Sequence, residues 1–452
     1  MTVLATIVVL GVLIFVHELG HFLAAKAVGI EVQRFSIGLG PRLAGFKRGE
    51  TEYILAWVPL GGYVKMGGMD DEVMERIEGG PEERPRQPGP RDFDAKPVWA
   101  RAFVISAGVI MNMLFAFAVY VGATAYWGLS EVAETRLGTV QAASLPAGAE
   151  GLASLPVGAR IVEVAGRPVE HWGDVRDALL DGPAGAATIR TADPAAEVAF
   201  TIPADHEARV RLFGSLGYWI DARVGPVNTG SPAEKGGLQR GDRILAVDGT
   251  PVTSWYDFVR EIERRPGVRT EITLERRGQT LVRAVVPDEA SREDAATGET
   301  VTVGRVGIFQ PTPELVYIDV GPARAVALGW RETVAVSALI LDFLRDLFTG
   351  NVSPRSVGSI VTIGQASGQA AAAGVETFLR FMALFSVNLA ILNLLPIPIL
   401  DGGHLVFLAI EAVRGRALSV EQRIRWSQVG LIVVMGLMVW ALSNDVLRLF
   451  GL

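Results

Sequence analysis

His17-Glu18-Leu19-Gly20-His21 sets two imidazoles four residues apart with a carboxylate beside the first. On an α-helix that spacing puts both rings on one face, a turn apart, where they can share a Zn²⁺ ion. Glu18 is then placed to act as general base on a metal-activated water. The pentad sits inside an apolar run: residues 2–16 carry no charge, and the run resumes through Phe22-Leu23-Ala24-Ala25. The plain alternative is a pair of histidines that simply find hydrogen-bond partners on a helix face. It is weakened here, because ionisable groups inside an apolar span are costly and usually functional.

A catalytic zinc keeps three protein ligands and one open position. Of the three remaining histidines, His171 and His206 fall in a polar middle region and read as ordinary surface or turn residues. The better source of a third ligand is the segment Asn393-Leu394-Leu395-Pro396-Ile397-Pro398-Ile399-Leu400-Asp401-Gly402-Gly403-His404. Pro396 and Pro398 must break a membrane helix there. Irregular backbone at membrane depth is tolerated only when buried in protein or lining a wet cavity. An aspartate held in that setting needs a cation, although Asp401-Gly402 can also be a plain turn at a helix end. His404 is a rival ligand from the same segment.

These residues need long apolar elements to hold them. Half of the 452 residues are hydrophobic and only 20% are charged, with the apolar residues gathered at the two ends. The first run is long enough to span a bilayer. It lacks the basic residues that precede the apolar core of a cleaved signal peptide, so a retained helix is expected. Ala102–Trp127 is a second spanning candidate, with Asn112 its only strongly polar side chain; Thr377–Leu395 and Gln428–Leu442 are a third and fourth. Ala323–Phe348 is apolar but carries Arg324, Arg331, Glu332, Asp342, Arg345 and Asp346, which favours an amphipathic helix at the interface over a span. Basic residues gather between spans one and two and between spans three and four, placing both of those loops in the cytoplasm. Glu52–Lys65 reads as two short β runs about a Pro59-Leu60-Gly61-Gly62 turn, and the Pro-, Gly- and charge-rich sequence after Gly67 reads as a loop.

The middle of the chain repeats itself. Residues 156–169 (PVGARIVEVAGRPV) match residues 239–252 (QRGDRILAVDGTPV), and each copy is followed by a tryptophan, Trp172 or Trp255, and a helical pattern. Both copies resemble the PDZ fold in its bacterial form. The fold class expected is therefore a polytopic α-helical membrane protein, with about four transmembrane helices, a membrane-associated β region and two inserted PDZ-like α+β domains. The expected divisions are 1–127, 128–221, 222–312 and 313–452. A net charge of −7 gives no reason to expect nucleic-acid binding. The absence of cysteine excludes disulfides and thiolate metal sites.

HExxH in the first span, a late N-x-x-P-x-P-x-L-D-G segment and PDZ-like repeats between them resemble the site-2 protease family of intramembrane zinc metalloproteases. The resemblance covers essentially the whole chain and includes Phe35–Pro41 and Pro59–Met66, similar to that group's membrane-associated β region. It implies one zinc ion per chain held by His17, His21 and Asp401, Glu18 as the base, Asn393 as a substrate-holding residue, and His404 in a supporting role. It implies transmembrane protein substrates already trimmed outside the membrane, anti-sigma factors in the sigma-E branch, and residence in the bacterial inner membrane with the repeats periplasmic. The repeats are expected to filter untrimmed substrates or to take peptide C-termini. The β region Tyr53–Lys65 is expected to offer edge pairing to the unwound substrate, with Tyr53, Ile54, Leu55 and Ala56 as its substrate-binding residues. Two competing readings are a non-enzymatic PDZ membrane scaffold and a metal transporter; the first leaves the buried histidines and aspartate unexplained, and the second lacks a succession of polar positions along the other spans.

Overall fold

The structure, a computed structural model, describes residues 2–68, 89–228, 230–293, 300–352, 358–416 and 418–449. Most of the loop expected after Gly67 lies at residues 69–88, outside the described residues. The chain divides into two compact units, Met1–Gly128 with Asp319–Leu452, and Leu129–Ile318.

The first unit opens with helix α1 (Thr2–Ala27), followed by strands β1 (Val32–Arg48) and β2 (Thr51–Met66) and by helix α2 (Val98–Trp127). Gly20 of α1 lies against the backbone carbonyl of Ala107 in α2, where a methyl group would overlap it, so the two helices meet at backbone distance. Both β strands fold over once. Residues 42–48 pair with 51–56; residues 34–37 pair on one side with 52–55 in the same direction and on the other with 62–65 in the opposite direction. The order across this small sheet is therefore 42–48, 51–58, 32–39, 62–66. The fold-over of β1 is turned by Gly38 and Gly40, both at positive φ, a conformation that costs glycine nothing. Ile30, Val32, Phe35, Val64 and Met66 bury against Val104 and Ile105, which fixes the sheet on the two helices.

The second unit contains the two repeats. In the first, strands β3 (Arg160–Val164) and β4 (Arg167–Pro168), helix α3 (Trp172–Leu180), and strands β5 (Gly185–Ala192) and β6 (Ala196–Ile202) give the sheet order β4-β3-β5-β6. In the second, β7 (Arg243–Val247), β8 (Thr250–Pro251), helix α4 (Trp255–Glu263), β9 (Thr270–Arg276) and β10 (Gln279–Val285) give β8-β7-β9-β10, the same topology. Each repeat has its own core, one built on Leu137, Ile161, Trp172, Leu179 and Ile189, the other on Ile244, Trp255, Phe258, Ile272 and Leu274. The strand Leu129–Val132 at the start of the unit pairs antiparallel with Leu315–Ile318 at its end, closing it.

The chain then returns to the first unit through helices α5 (Pro322–Thr349), α6 (Ile360–Ala373), α7 (Val375–Asn393), α8 (Asp401–Arg414) and α9 (Val420–Leu449). Among the described residues four helices are long and apolar enough to cross a membrane: Thr2–Ala27, Val98–Trp127, Val375–Asn393 and Glu421–Asp445. As its charges foretell, α5 is not among them. Gly329 presses on Val121, Trp330 meets Phe117, and Val336 and Ile340 join Ala116, Tyr120, Ala383 and Val387. The helix thus lies lengthwise along α2, in the opposite direction. Two features permit this: the missing side chain at Gly329, and the Arg380 guanidinium of α7, which neutralises Glu332 through contacts of 3.0 and 2.8 Å.

Candidate active site and metal centre

Helix periodicity alone brings His17 and His21 together on α1: their Nε2 atoms are 3.2 Å apart and both residues are 9% exposed. The third group arrives from the far end of the chain. After α7 ends at Asn393, Pro396 and Pro398 hold the backbone out of helix until Asp401 opens α8. The break folds back tightly on the new helix. A Cβ at Gly402 would overlap the carbonyls of Leu394 and Leu395, and one at Gly403 the carbonyl of Ile397, so only glycine allows the turn to close. Asp401 Oδ2 is thereby placed 3.2 Å from His17 Nε2, and Oδ1 lies 3.6 Å from His21 Nε2.

Among the described residues this trio forms the one group able to hold a metal ion, its ligand atoms all within 4.8 Å of one another. Asp401 Oδ2 is buried and without a hydrogen-bond partner. Buried carboxylate oxygens without a partner are costly, and two imidazole nitrogens and a carboxylate converging on one point suit Zn²⁺. The residues therefore fit the metal that the motif suggests. His404, the rival, lines the same cavity one turn beyond Asp401 but stands outside the group. His171 and His206 belong to the repeat unit, where His171 precedes α3 and His206 starts the helix His206–Gly214.

A cavity of about 330 Å³ opens on the trio and is lined also by Glu18, Asn393 and the strand segment Gly61–Val64. Asn393 Nδ2 lies 3.3 Å from His17 Nε2, so the last residue of α7 reaches the centre as well. The close approach of the strand shows at Gly62, where an added Cβ would lie 2.8 Å from both Ile14 and the Ser36 carbonyl and 3.1 Å from Glu18.

The expectation for Tyr53, Ile54, Leu55 and Ala56 requires correction. Three of them are paired on both sides, Tyr53 with Phe35 and Phe46, Ile54 with Ser36 and Gly45, Leu55 with Ile37 and Ala44, while Ala56 pairs with Arg42. None of the four lines the cavity. The part of this sheet that lines the cavity beside Glu18 is Gly61–Val64 with Met66, and the fold-over of β1 and β2 moves 53–55 into the sheet interior.

Three residues of α2 were not singled out for the site by sequence. His21 Nδ1 meets the Val104 carbonyl at 2.8 Å, His17 Nδ1 meets the Asn112 amide at 3.3 Å, and Gly108 lies between them under both rings. The available signal was the lone amide in an otherwise apolar span.

The profile of peptidase family M50 matches residues 5–437. The regulator of sigma-E protease RseP of Escherichia coli is 36% identical over 98% of each chain. Protease RseP of Yersinia pestis is 34% identical over 98% of each. A candidate zinc metalloprotease of Neisseria meningitidis serogroup A is 34% identical over the full length of both chains. Among solved structures, the PDZ domain of the SdrC-like protein of Listeria innocua aligns with 21% of this chain and 97% of its own at 20% identity, with a TM-score of 0.17.

Proposed function

Because the chain belongs to peptidase family M50 and is a zinc metalloprotease, we propose that His17, His21 and Asp401 hold its single zinc ion and that Glu18 is the catalytic base. The observation that carries this reading is the convergence of three ligand atoms within 4.8 Å, in a cavity that Glu18 also lines. Membership of a metalloprotease family sets aside the scaffold and transporter readings.

Zinc bound there supplies a Lewis acid that polarises the scissile carbonyl and makes water acidic enough to be deprotonated near neutral pH. Glu18 takes the proton of the attacking water and delivers it to the leaving amine. Asn393, at the rim of the centre, offers an amide to hold the substrate backbone. A substrate helix presents carbonyls already hydrogen-bonded, so it must unwind before attack. The outer strand at residues 62–66, which lines the cavity, is the one to take the unwound strand by β-pairing, in place of the interior residues 53–55.

The substrate class that fits is a transmembrane segment, since the cavity lies among helices long and apolar enough to span a bilayer. Similarity to regulators of sigma-E proteases supports an anti-sigma factor as substrate and the bacterial inner membrane as location. The basic residues Lys26, Arg34, Lys47, Arg48, Arg414 and Arg416 support cytoplasmic loops after spans one and three, which puts the repeats in the periplasm. There they act as a filter against untrimmed substrates, or take peptide C-termini.

The test is Glu18→Gln in the full chain, with zinc quantified and cleavage of a single-span substrate followed. Zinc retained with cleavage reduced by about 10²–10⁴-fold is expected of a lost general base; unchanged cleavage removes Glu18 from that role. Proline at Tyr63 or Val64 should slow cleavage, whereas an unaffected rate would dismiss strand pairing. Deleting residues 130–312 should allow an untrimmed substrate to be cut, and continued rejection would end the filter idea.

A further inference from the structure

Helix α2 carries a stripe of three positions, Val104, Gly108 and Asn112, spaced one turn apart and turned toward the two imidazoles of α1. Val104 offers a backbone carbonyl, which only accepts, so the Nδ1 of His21 at 2.8 Å must carry the proton and Nε2 is left with its lone pair free. Gly108 offers no side chain at all. A Cβ there would overlap His21 Nε2 and lie 2.6 Å from His17 Cε1 and 2.8 Å from His17 Nδ1.

Asn112 is completely buried, and its Oδ1 is without a hydrogen-bond partner. Its Nδ2 faces His17 Nδ1 at 3.3 Å. The two ends of a carboxamide are interchangeable by a half-turn about the last side-chain bond, and their assignment follows the hydrogen-bond network. If His17 binds a metal through Nε2, its proton resides on Nδ1, and only an acceptor can face it. With Oδ1 turned to His17, Asn112 does for this ring what the Val104 carbonyl does for His21. The Ser386 hydroxyl of α7, which donates to the Asn112 carbonyl at 2.8 Å, fixes the residue's backbone against the helix that delivers Asn393.

We propose that Asn112 is the positioning residue of His17, selecting the tautomer whose Nε2 is free to bind zinc; this rests on the zinc reading above. The two histidines are then oriented by different means. Side-chain substitution cannot remove the carbonyl that holds His21, whereas the holder of His17 is open to mutation.

The experiment uses the full chain purified in detergent, measuring zinc affinity by chelator competition and the visible spectrum of the cobalt-loaded protein, for wild type, Asn112→Leu, Asn112→Ser and Asn112→Asp. Loss of the acceptor in Asn112→Leu should weaken zinc binding by about 10–100-fold and alter the cobalt bands. Asn112→Asp, whose carboxylate also accepts from Nδ1, should restore affinity to within a few-fold and the cobalt bands to the wild-type form. Asn112→Ser, too short to reach the ring but easily accommodated, should behave like Asn112→Leu and serves if the leucine variant does not fold. Wild-type affinity and spectrum in both Asn112→Leu and Asn112→Ser would overturn the proposal while leaving the zinc reading intact. A wild-type protein that binds no zinc, or His17→Ala that binds it as tightly as wild type, would overturn the zinc reading and this proposal with it.

Discussion

The repeat unit and the unit that carries the metal centre are assembled in opposite ways. Each repeat draws its sheet, helix and core from one continuous stretch, 137–216 for the first core and 220–306 for the second. The metal centre draws on residues 17–21 of α1, 62–66 of β2, 104–112 of α2 and 393–401 at the break between α7 and α8. A fault within a repeat is thus a matter of local packing energy. A fault at the centre need not unfold anything, because each contributing helix is held elsewhere along its length, and it acts directly on the chemistry.

The sharpest way to test that contrast is to remove a proposed ligand. Asp401→Ala should abolish cleavage and prevent zinc from co-purifying, with the helix content of the protein by circular dichroism unchanged. Chelation of wild type should give the same inactive state and added zinc should reverse it. Recovery of cleavage without zinc would break the comparison.

Glycine-to-alanine changes in the two units should diverge next. Gly108→Ala drives a methyl group into both imidazoles and should lower zinc affinity by about the 10–100-fold of a disturbed ligand environment. Gly249→Ala in the second repeat meets nothing within 4 Å and should cost only about 1–2 kcal/mol for its left-handed backbone, seen as a small shift in thermal unfolding with zinc content unchanged.

The two repeats also differ from one another at the same turn. Ala165-Gly166 and Asp248-Gly249 both join their strands with two residues at positive φ. Asp248 suits the position: its Oδ1 accepts from the Glu271 amide at 2.7 Å and its Oδ2 lies 2.9 Å from Arg265 Nε. Ala165 has no such compensation. Ala165→Gly should stabilise the first repeat by about 0.5–1 kcal/mol, measured by urea unfolding, and the same substitution at Asp248 should destabilise the second.

The smallest effect concerns acidity. Asp257 caps α4, accepting from Thr253 Oγ1 at 2.8 Å and the Ser254 amide at 3.1 Å. Burial raises its carboxyl pKa, but these hydrogen bonds prevail and hold it below the ordinary 3.8. A depressed folded-state pKa contributes stability that is present above the unfolded value and is lost as pH falls through the folded one. Protection of the first α4 amides in hydrogen exchange should therefore decline below about pH 4, and Asp257→Asn should flatten that decline.

Much of this was legible in the residues. The 17/21 pair follows from helix periodicity, the apolar helices from their composition, and the two repeats from their self-similarity, because each signal is contained within a few turns or strands. The helix Pro322–Thr349 was legible in its charge but not in its packing, since the Glu332–Arg380 pair and the fit of Gly329 on Val121 join residues far apart in the chain.

At the centre itself, sequence determined that two imidazoles share a helix face and that a proline-broken segment with Asp401 and His404 must return to the apolar part of the fold. The family resemblance, and not the spacing, favoured Asp401 over His404 as the third group, and the pairing strand was expected in the Tyr53–Lys65 region, on residues 53–56. Neither position follows from local spacing. Which side chain reaches His17 and His21 depends on how the chain between Pro396 and Gly403 folds back on α8, and which strand is the edge depends on how β1 and β2 fold over each other. Helical spacing is fixed by bonds between near neighbours, whereas sheet edges and ligand sets are fixed by contacts that the chain makes only once it is folded.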